Sequence, residues 1–121
     1  MVGRIARAGL LASVIALPGA EIAAARTVYD GSWSLTIRTA RGACDPTYHF
    51  QVNIRNGIVS HPNLVRLRGR VAAGGAVRLS VTVQDKHASG SGRLTSTQGR
   101  GRWSGYAGRA RCSGSWSATK F

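Results

Sequence analysis

Apolar and polar residues alternate with a period of two through most of the chain after residue 32. Residues 33–38, 48–54 and 77–84 place a large apolar side chain at every second position, with polar or basic residues between them. Such alternation is typical of β-strands with one buried and one solvent-facing side, because successive side chains point to opposite faces. No stretch of residues 26–121 has the periodicity of an amphipathic helix. The chain is therefore predicted to be all-β.

Short turn motifs separate the alternating segments. Asn56-Gly57 is the strongest hairpin signal, because both turn residues must tolerate positive φ. Further turns are predicted at residues 73–75, 85–87 and 97–99. Hairpins at spacings of about 8–12 residues imply roughly eight short antiparallel strands. Such strands can close into an up-and-down barrel, and a flattened β-sandwich is the alternative that the periodicity leaves open.

Nearly the same hexapeptide stands at both ends of the strand region. Gly31-Ser-Trp-Ser-Leu-Thr36 begins the first strand, Gly114-Ser-Trp-Ser-Ala-Thr119 lies in the last, and Gly101-Arg-Trp-Ser104 is a shorter copy. Closure of a barrel would bring the first strand beside the last, so the two hexapeptides would pair. The inward tryptophans are predicted to form much of the core, with an aromatic ligand pocket as the alternative. These residues are Trp33, Trp103 and Trp116.

The first 25 residues have the pattern of a secretory signal peptide. Arg4 and Arg7 precede an apolar stretch at residues 8–20, and Ala23-Ala-Ala25 offers a cleavage site. The apolar stretch is shorter than the roughly 20 residues that span a bilayer. We expect residues 1–25 to be removed. Residues 26–121 would form one exported domain, periplasmic or secreted, with no transmembrane segment and an oligomeric state that the sequence leaves open.

Both cysteines of the chain, Cys44 and Cys112, fall in the predicted domain. An even number of cysteines in a small exported domain indicates a disulfide, because the compartment is oxidising. The closed loop would stabilise the domain by roughly 4 kcal/mol through the lost entropy of the unfolded chain. No nearby histidine or further cysteine completes a metal-binding set.

The domain is strongly basic. The whole chain has a formal charge of +13, and without Arg4, Arg7 and Glu21 the remaining 15 basic and 3 acidic residues leave +12. Arginine favours bidentate contact with phosphate, carboxylate and sulfate, so an anionic polysaccharide or lipopolysaccharide is the predicted partner, with a solvated basic surface as the alternative. Nucleic acid is not expected, because exposed aromatic residues for base stacking are lacking. The predicted anion-binding residues are Arg66, Arg68, Arg70, Arg78, Arg93, Arg102 and Arg111.

Catalytic and metal-binding patterns are missing from the sequence. The three aspartates of the domain each lie beside a turn, and its histidines are scattered, so we predict a binding protein that is not an enzyme and holds no metal or cofactor. Two other functions stay open. One is a carrier of a hydrophobic or haem-type ligand in the barrel interior, with Tyr48, His49 or His61 as an axial ligand. The other is an inhibitor of an acidic periplasmic enzyme.

A set of short motifs runs through the domain: Gly31-Ser-Trp33, Cys44-Asp45, Asn56-Gly57, Gly69-Arg-Val71, Gly75-Ala-Val77, Gly90-Ser-Gly-Arg-Leu94, Gly101-Arg-Trp103 and Cys112-Ser-Gly-Ser-Trp116. In this combination the domain resembles a group of small exported proteins of rhizobia and related alphaproteobacteria, over nearly all of residues 26–121. Members of that group are sometimes labelled haem-utilisation or adhesion proteins. The first-strand Gly-x-Trp also resembles that of avidin-like and lipocalin-like barrels, which implies an eight-stranded antiparallel barrel. We assign no ligand-binding residue of this chain from the resemblance to these barrels.

Overall fold

The computed structural model describes residues 27–63 and 66–121 and shows a closed barrel of eight antiparallel strands. Each strand pairs with its neighbours in chain order, and the last strand pairs with the first. The predicted barrel is confirmed, and the predicted signal peptide lies outside the described residues. The strands are β1 (Gly31–Arg41), β2 (Thr47–Arg55), β3 (Ile58–Ser60), β4 (Leu67–Val71), β5 (Ala76–Val83), β6 (Lys86–Leu94), β7 (Gln98–Ala107) and β8 (Ala110–Lys120).

Barrel closure brings the two hexapeptides together, as the repeat predicted. In the β1–β8 ladder, Leu35 lies opposite Ala118 and Ile37 lies opposite Trp116, with an irregularity between Thr39 and Arg41. Because the two hexapeptides alternate in the same register, their apolar side chains face the interior together and the serines and threonines within them face outward. The closed ladder leaves neither β1 nor β8 with an edge exposed to pairing with another chain.

A two-residue hairpin joins β2 to β3 at the predicted Asn56-Gly57 turn. Both residues have positive φ, 51° for Asn56 and 76° for Gly57. These values suit a two-residue turn whose twist matches that of the flanking strands. The backbone N–H of Asn56 also donates to the carboxylate of Asp30 over 2.8 Å. This turn fixes the register in which Ile54 and Val59 both point inward.

Side chains fill the barrel interior. The indole N–H of each tryptophan donates to a backbone carbonyl: Trp33 to Tyr29 at 2.8 Å, Trp103 to Arg38 at 3.0 Å and Trp116 to Ser91 at 3.2 Å. All three rings are buried, and the space left among them and the aliphatic side chains is about 70 Å³. Sites for drug-sized ligands are several times larger, at about 300–1,000 Å³. The tryptophans therefore belong to the hydrophobic core.

A disulfide joins Cys44, in the loop between β1 and β2, to Cys112 on β8, as the cysteine count predicted. The two Cα atoms are 6.0 Å apart, and the bridge links residues separated by 68 positions. The Cys112 side chain points inward and is buried, so the bridge ties the loop over one end of the barrel. The part of the chain that the structure describes contains no helix long and apolar enough to cross a membrane.

One strand boundary differs from the sequence prediction. The alternation places Arg66, Arg68 and Arg70 on a single strand, but β4 begins at Leu67 and Arg66 lies in the turn before it. Residues 64 and 65 lie outside the described part of the chain. β4 begins at Leu67, where the ladder with β5 begins opposite Val81.

Candidate anion-binding surface

An open depression of about 1690 Å³ lies on the outer wall of the barrel, across β3 to β7. Its outward-facing lining consists mainly of arginines and serines. We call its basic part the arginine groove, which comprises Arg68, Arg70, Arg78, Arg93, Arg100 and Arg102. All six side chains are exposed.

Strand register, not sequence proximity, assembles the arginine groove. Arg70 on β4 lies directly opposite Arg78 on β5, and Arg93 on β6 lies directly opposite Arg100 on β7. Like charges directly opposite each other on neighbouring strands destabilise a sheet. The fold thus tolerates two unfavourable cross-strand pairs within a single depression.

Serines fill the positions between the arginines. Ser91 on β6 lies between Arg78 and Arg102 in register, and Ser80, Ser89 and Ser104 form a continuous row on β5, β6 and β7. A hydroxyl both donates and accepts hydrogen bonds. The depression therefore combines fixed positive charge with small neutral donors at its base.

Among residues 27–63 and 66–121, no carboxylate lines the depression. Asp30 precedes β1, Asp45 lies in the loop between β1 and β2, and Asp85 lies in the β5–β6 turn. The mean distance between neighbouring strands is about 4.8 Å, so the groove arginines are spread over about 14 Å from β4 to β7. The potential over this face is consequently positive, which concentrates anions near it.

Most of the groove guanidinium groups are free to bind a ligand. Arg93 donates from Nη1 to the backbone carbonyl of Gly74 over 3.2 Å. Within the described ranges, the other five groove arginines make no hydrogen bond or ion pair to a protein group. By contrast Arg38, outside the groove, donates to the hydroxyl of Ser117. The groove therefore presents five guanidinium groups whose donors are available to solvent or to an anion.

The structure brings together five of the seven arginines that the sequence singled out, namely Arg68, Arg70, Arg78, Arg93 and Arg102. Arg66 lies outside the lining because it precedes β4. Arg111 lies on β8 opposite Tyr106, also outside the lining. Arg100 is missing from the sequence prediction, because residues 97–99 are predicted as a turn, whereas β7 already begins at Gln98. The alternation of Gly99, Arg100 and Gly101 could have indicated an outward arginine.

One expectation about the aromatic side chains changes with the structure, and the outward position expected for His49 from the alternation of its strand is found. The sequence predicts no exposed aromatic residue, but Tyr106 faces outward and keeps 43% of its surface exposed. His49, considered as a haem ligand, lies on the outer face of β2, where its Nδ1 is 3.3 Å from the hydroxyl of Thr36. In the described part of the chain, no three His, Cys, Asp or Glu side chains are close enough together to hold a metal ion.

The fold and this surface define a small closed β-barrel with a packed interior and a basic, concave outer wall. The chain matches no protein-family model, and no curated protein or solved structure is significantly similar to it.

Proposed function

We propose that the protein is an exported, non-enzymatic binding protein that engages an acidic polysaccharide or lipopolysaccharide of the cell envelope through the arginine groove. The observation that carries this proposal is the set of five unpaired guanidinium groups in one depression, whose described lining contains no carboxylate. Guanidinium groups match carboxylate, sulfate and phosphate with two parallel hydrogen bonds, so these anions are the natural ligands of such a surface.

The size and openness of the depression favour a polymer over a small ion. Its arginines are spread over about 14 Å, the distance across four strands, which is more than one phosphate or sulfate can contact. A chain with regularly spaced anionic groups can contact several arginines at once, and the contacts then act as linked sites with a high effective concentration. The interior space of about 70 Å³ gives a hydrophobic or haem-type ligand far less room.

Replacing three groove arginines tests the proposal. The variant Arg70→Gln/Arg78→Gln/Arg102→Gln is expected to lose affinity for polygalacturonate and for purified lipopolysaccharide by about 10- to 100-fold at low ionic strength. The affinity of the wild-type protein should itself fall steeply as salt rises, and the slope should be shallower in the variant. Both are measured by titration of fluorescently labelled ligand with protein purified after expression of the full chain.

A matched control separates the groove from net charge. Arg41, Arg55 and Arg109 are exposed and lie outside the lining, so Arg41→Gln/Arg55→Gln/Arg109→Gln removes the same charge. Both triple variants are also compared at about 0.15 M salt, where the Debye length is about 8 Å. At that salt this control is expected to change affinity by less than about threefold, because charges outside the groove are largely screened. The groove variant should be at least as stable as wild type, because it removes the repulsion between Arg70 and Arg78. Equal loss of affinity in both triple variants would contradict a localised site.

A further inference from the structure

The outer wall carries one aromatic ring next to the arginine groove. Tyr106 is the only tyrosine, phenylalanine or tryptophan at an outward-facing position of the eight described strands, and 43% of its surface is exposed. Its ring is stacked with that of His87, at a centroid distance of 5.7 Å and an interplanar angle of 28°. Every other such ring on the described strands lies at an inward-facing position. Because Tyr106 is not part of the core, its exposed surface is available to a ligand.

The ring pair is held in a fixed arrangement. His87 lies opposite Thr82 on β5 and opposite Tyr106 on β7. The hydroxyl of Thr82 is 2.9 Å from Nδ1 of His87, which limits rotation of the imidazole. Stacking on the imidazole then orients the phenol ring of Tyr106. We call Thr82, His87 and Tyr106 the tyrosine platform.

The tyrosine platform continues directly into the depression. On β7, Tyr106 is followed toward the arginine groove by outward-facing Ser104 and then Arg102, and on β6 His87 is followed by Ser89. Tyr106 and Arg102 are four positions apart along β7, which corresponds to about 13 Å. A ligand that lies along β6 and β7 would meet an aromatic face, then a pair of hydroxyl groups, then guanidinium groups.

We propose that the tyrosine platform is a sugar-stacking subsite of the arginine groove, and that the ligand is accordingly an acidic polysaccharide with carboxylate groups on its sugar rings. This inference rests on the proposed function of the groove. One face of a pyranose ring carries C–H groups that pack against an aromatic face, while its hydroxyl groups need hydrogen-bonding partners. Tyr106 provides the aromatic face, Ser89 and Ser104 provide hydroxyls, and Arg102 provides the partner for a carboxylate.

The same observations favour a polysaccharide over a nucleic acid. Proteins that bind single-stranded nucleic acid without sequence preference combine a basic groove with several aromatic side chains on which successive bases stack. Here the eight described strands present one such ring, which lies beside the depression and is not part of its lining. The serines between Tyr106 and Arg102 offer hydroxyl groups but no further stacking surface.

Substitution of Tyr106 tests the subsite, with two probes that differ in whether they contain sugar. Tyr106→Ala is expected to weaken binding of a galacturonate oligosaccharide by about tenfold, as loss of one stacking contact does elsewhere. The same variant should bind inorganic polyphosphate as tightly as wild type, because polyphosphate has charge but no ring. Tyr106→Phe keeps the ring and should retain binding of the oligosaccharide. Val83→Ala changes another exposed apolar residue at this end of the barrel and should alter neither affinity.

The outcomes separate this inference from the proposed function. Unchanged galacturonate binding in Tyr106→Ala, or equal loss for both probes, would overturn the subsite while leaving the groove in place. If the wild-type protein binds neither probe and no purified lipopolysaccharide, the proposed function itself fails, whereas binding of polyphosphate without the galacturonate oligosaccharide would overturn only the sugar subsite. A larger effect of Tyr106→Ala on a thymidylate oligonucleotide than on the galacturonate oligosaccharide would overturn the inference in favour of nucleic acid. Circular dichroism spectra of all variants should match wild type, because Tyr106 and Val83 are exposed.

Discussion

Replacing Trp116 with alanine is expected to lower the free energy of unfolding by about 3–5 kcal/mol, the usual cost of truncating a buried aromatic residue. The Trp116 ring lies over the backbones of Gly92 and Gly101, where an added methyl group would come within 2.6 and 2.7 Å of ring carbons. Because these glycines lie side by side on β6 and β7, the ring bridges three strands. Its removal would leave a cavity that glycines cannot fill.

Two further variants make the Trp116 prediction testable even if the alanine variant does not fold. Trp116→Phe keeps most of the apolar surface but loses the hydrogen bond to the carbonyl of Ser91, so its cost should be clearly smaller than that of alanine. Ser115→Ala, on the outward face of the same strand, should change stability by less than about 0.5 kcal/mol. Urea unfolding of the three variants measures these values. A cost below about 1 kcal/mol for Trp116→Ala would contradict a core role.

Loss of the disulfide is expected to be equally damaging. Replacing both Cys44 and Cys112 with alanine should lower the free energy of unfolding by roughly 4 kcal/mol, because the unfolded chain regains the entropy of a long closed loop. The β1–β2 loop would also lose its attachment to β8, including the bond from the Cys44 backbone N–H to the Cys112 sulfur at 3.1 Å. Small domains have about 5–15 kcal/mol of stability in total, so this loss is a large fraction.

Reduction of the wild-type protein provides the control for the disulfide prediction. Unfolding by urea with and without a thiol reductant should reproduce the difference between wild type and the double alanine variant. The reductant should leave the variant itself unchanged, because the chain has no other cysteine. A difference below about 1 kcal/mol in both comparisons would mean that the bridge contributes little to folding.

The inward and outward faces of the barrel could be predicted because each strand alternates strictly. The period of two at Trp33, Leu35 and Ile37 determines which side of β1 is buried, whatever the topology. The choice between barrel and sandwich could not be made from periodicity, because both architectures bury one face of each strand. The closing ladder, in which Ile37 meets Trp116, is a long-range pairing that only the near-repeat of the hexapeptide indicated.

The candidate site was predictable in composition but not in shape. Outward arginines on β4 to β7 follow from alternation, but the pairing of Arg70 with Arg78 and of Arg93 with Arg100 depends on register. The exposure of Tyr106 differs from the sequence expectation, because a small domain with few aromatic residues is expected to bury them. Its outward orientation follows from its position three residues after the inward Trp103, once β7 is known to continue to Ala107.

The most direct test of the proposed binding surface is to map the bound ligand on the protein by nuclear magnetic resonance. Backbone and guanidinium signals would be followed while a galacturonate oligosaccharide is added to isotope-labelled protein. We expect shifts concentrated on the outward residues of β4 to β7, with the indole N–H signals of the buried tryptophans unchanged. Shifts centred on those indole signals would place the ligand in the interior. Small shifts spread evenly over all exposed arginines would mean that the ligand binds through nonspecific electrostatic attraction. Either result would contradict the arginine groove as the binding site.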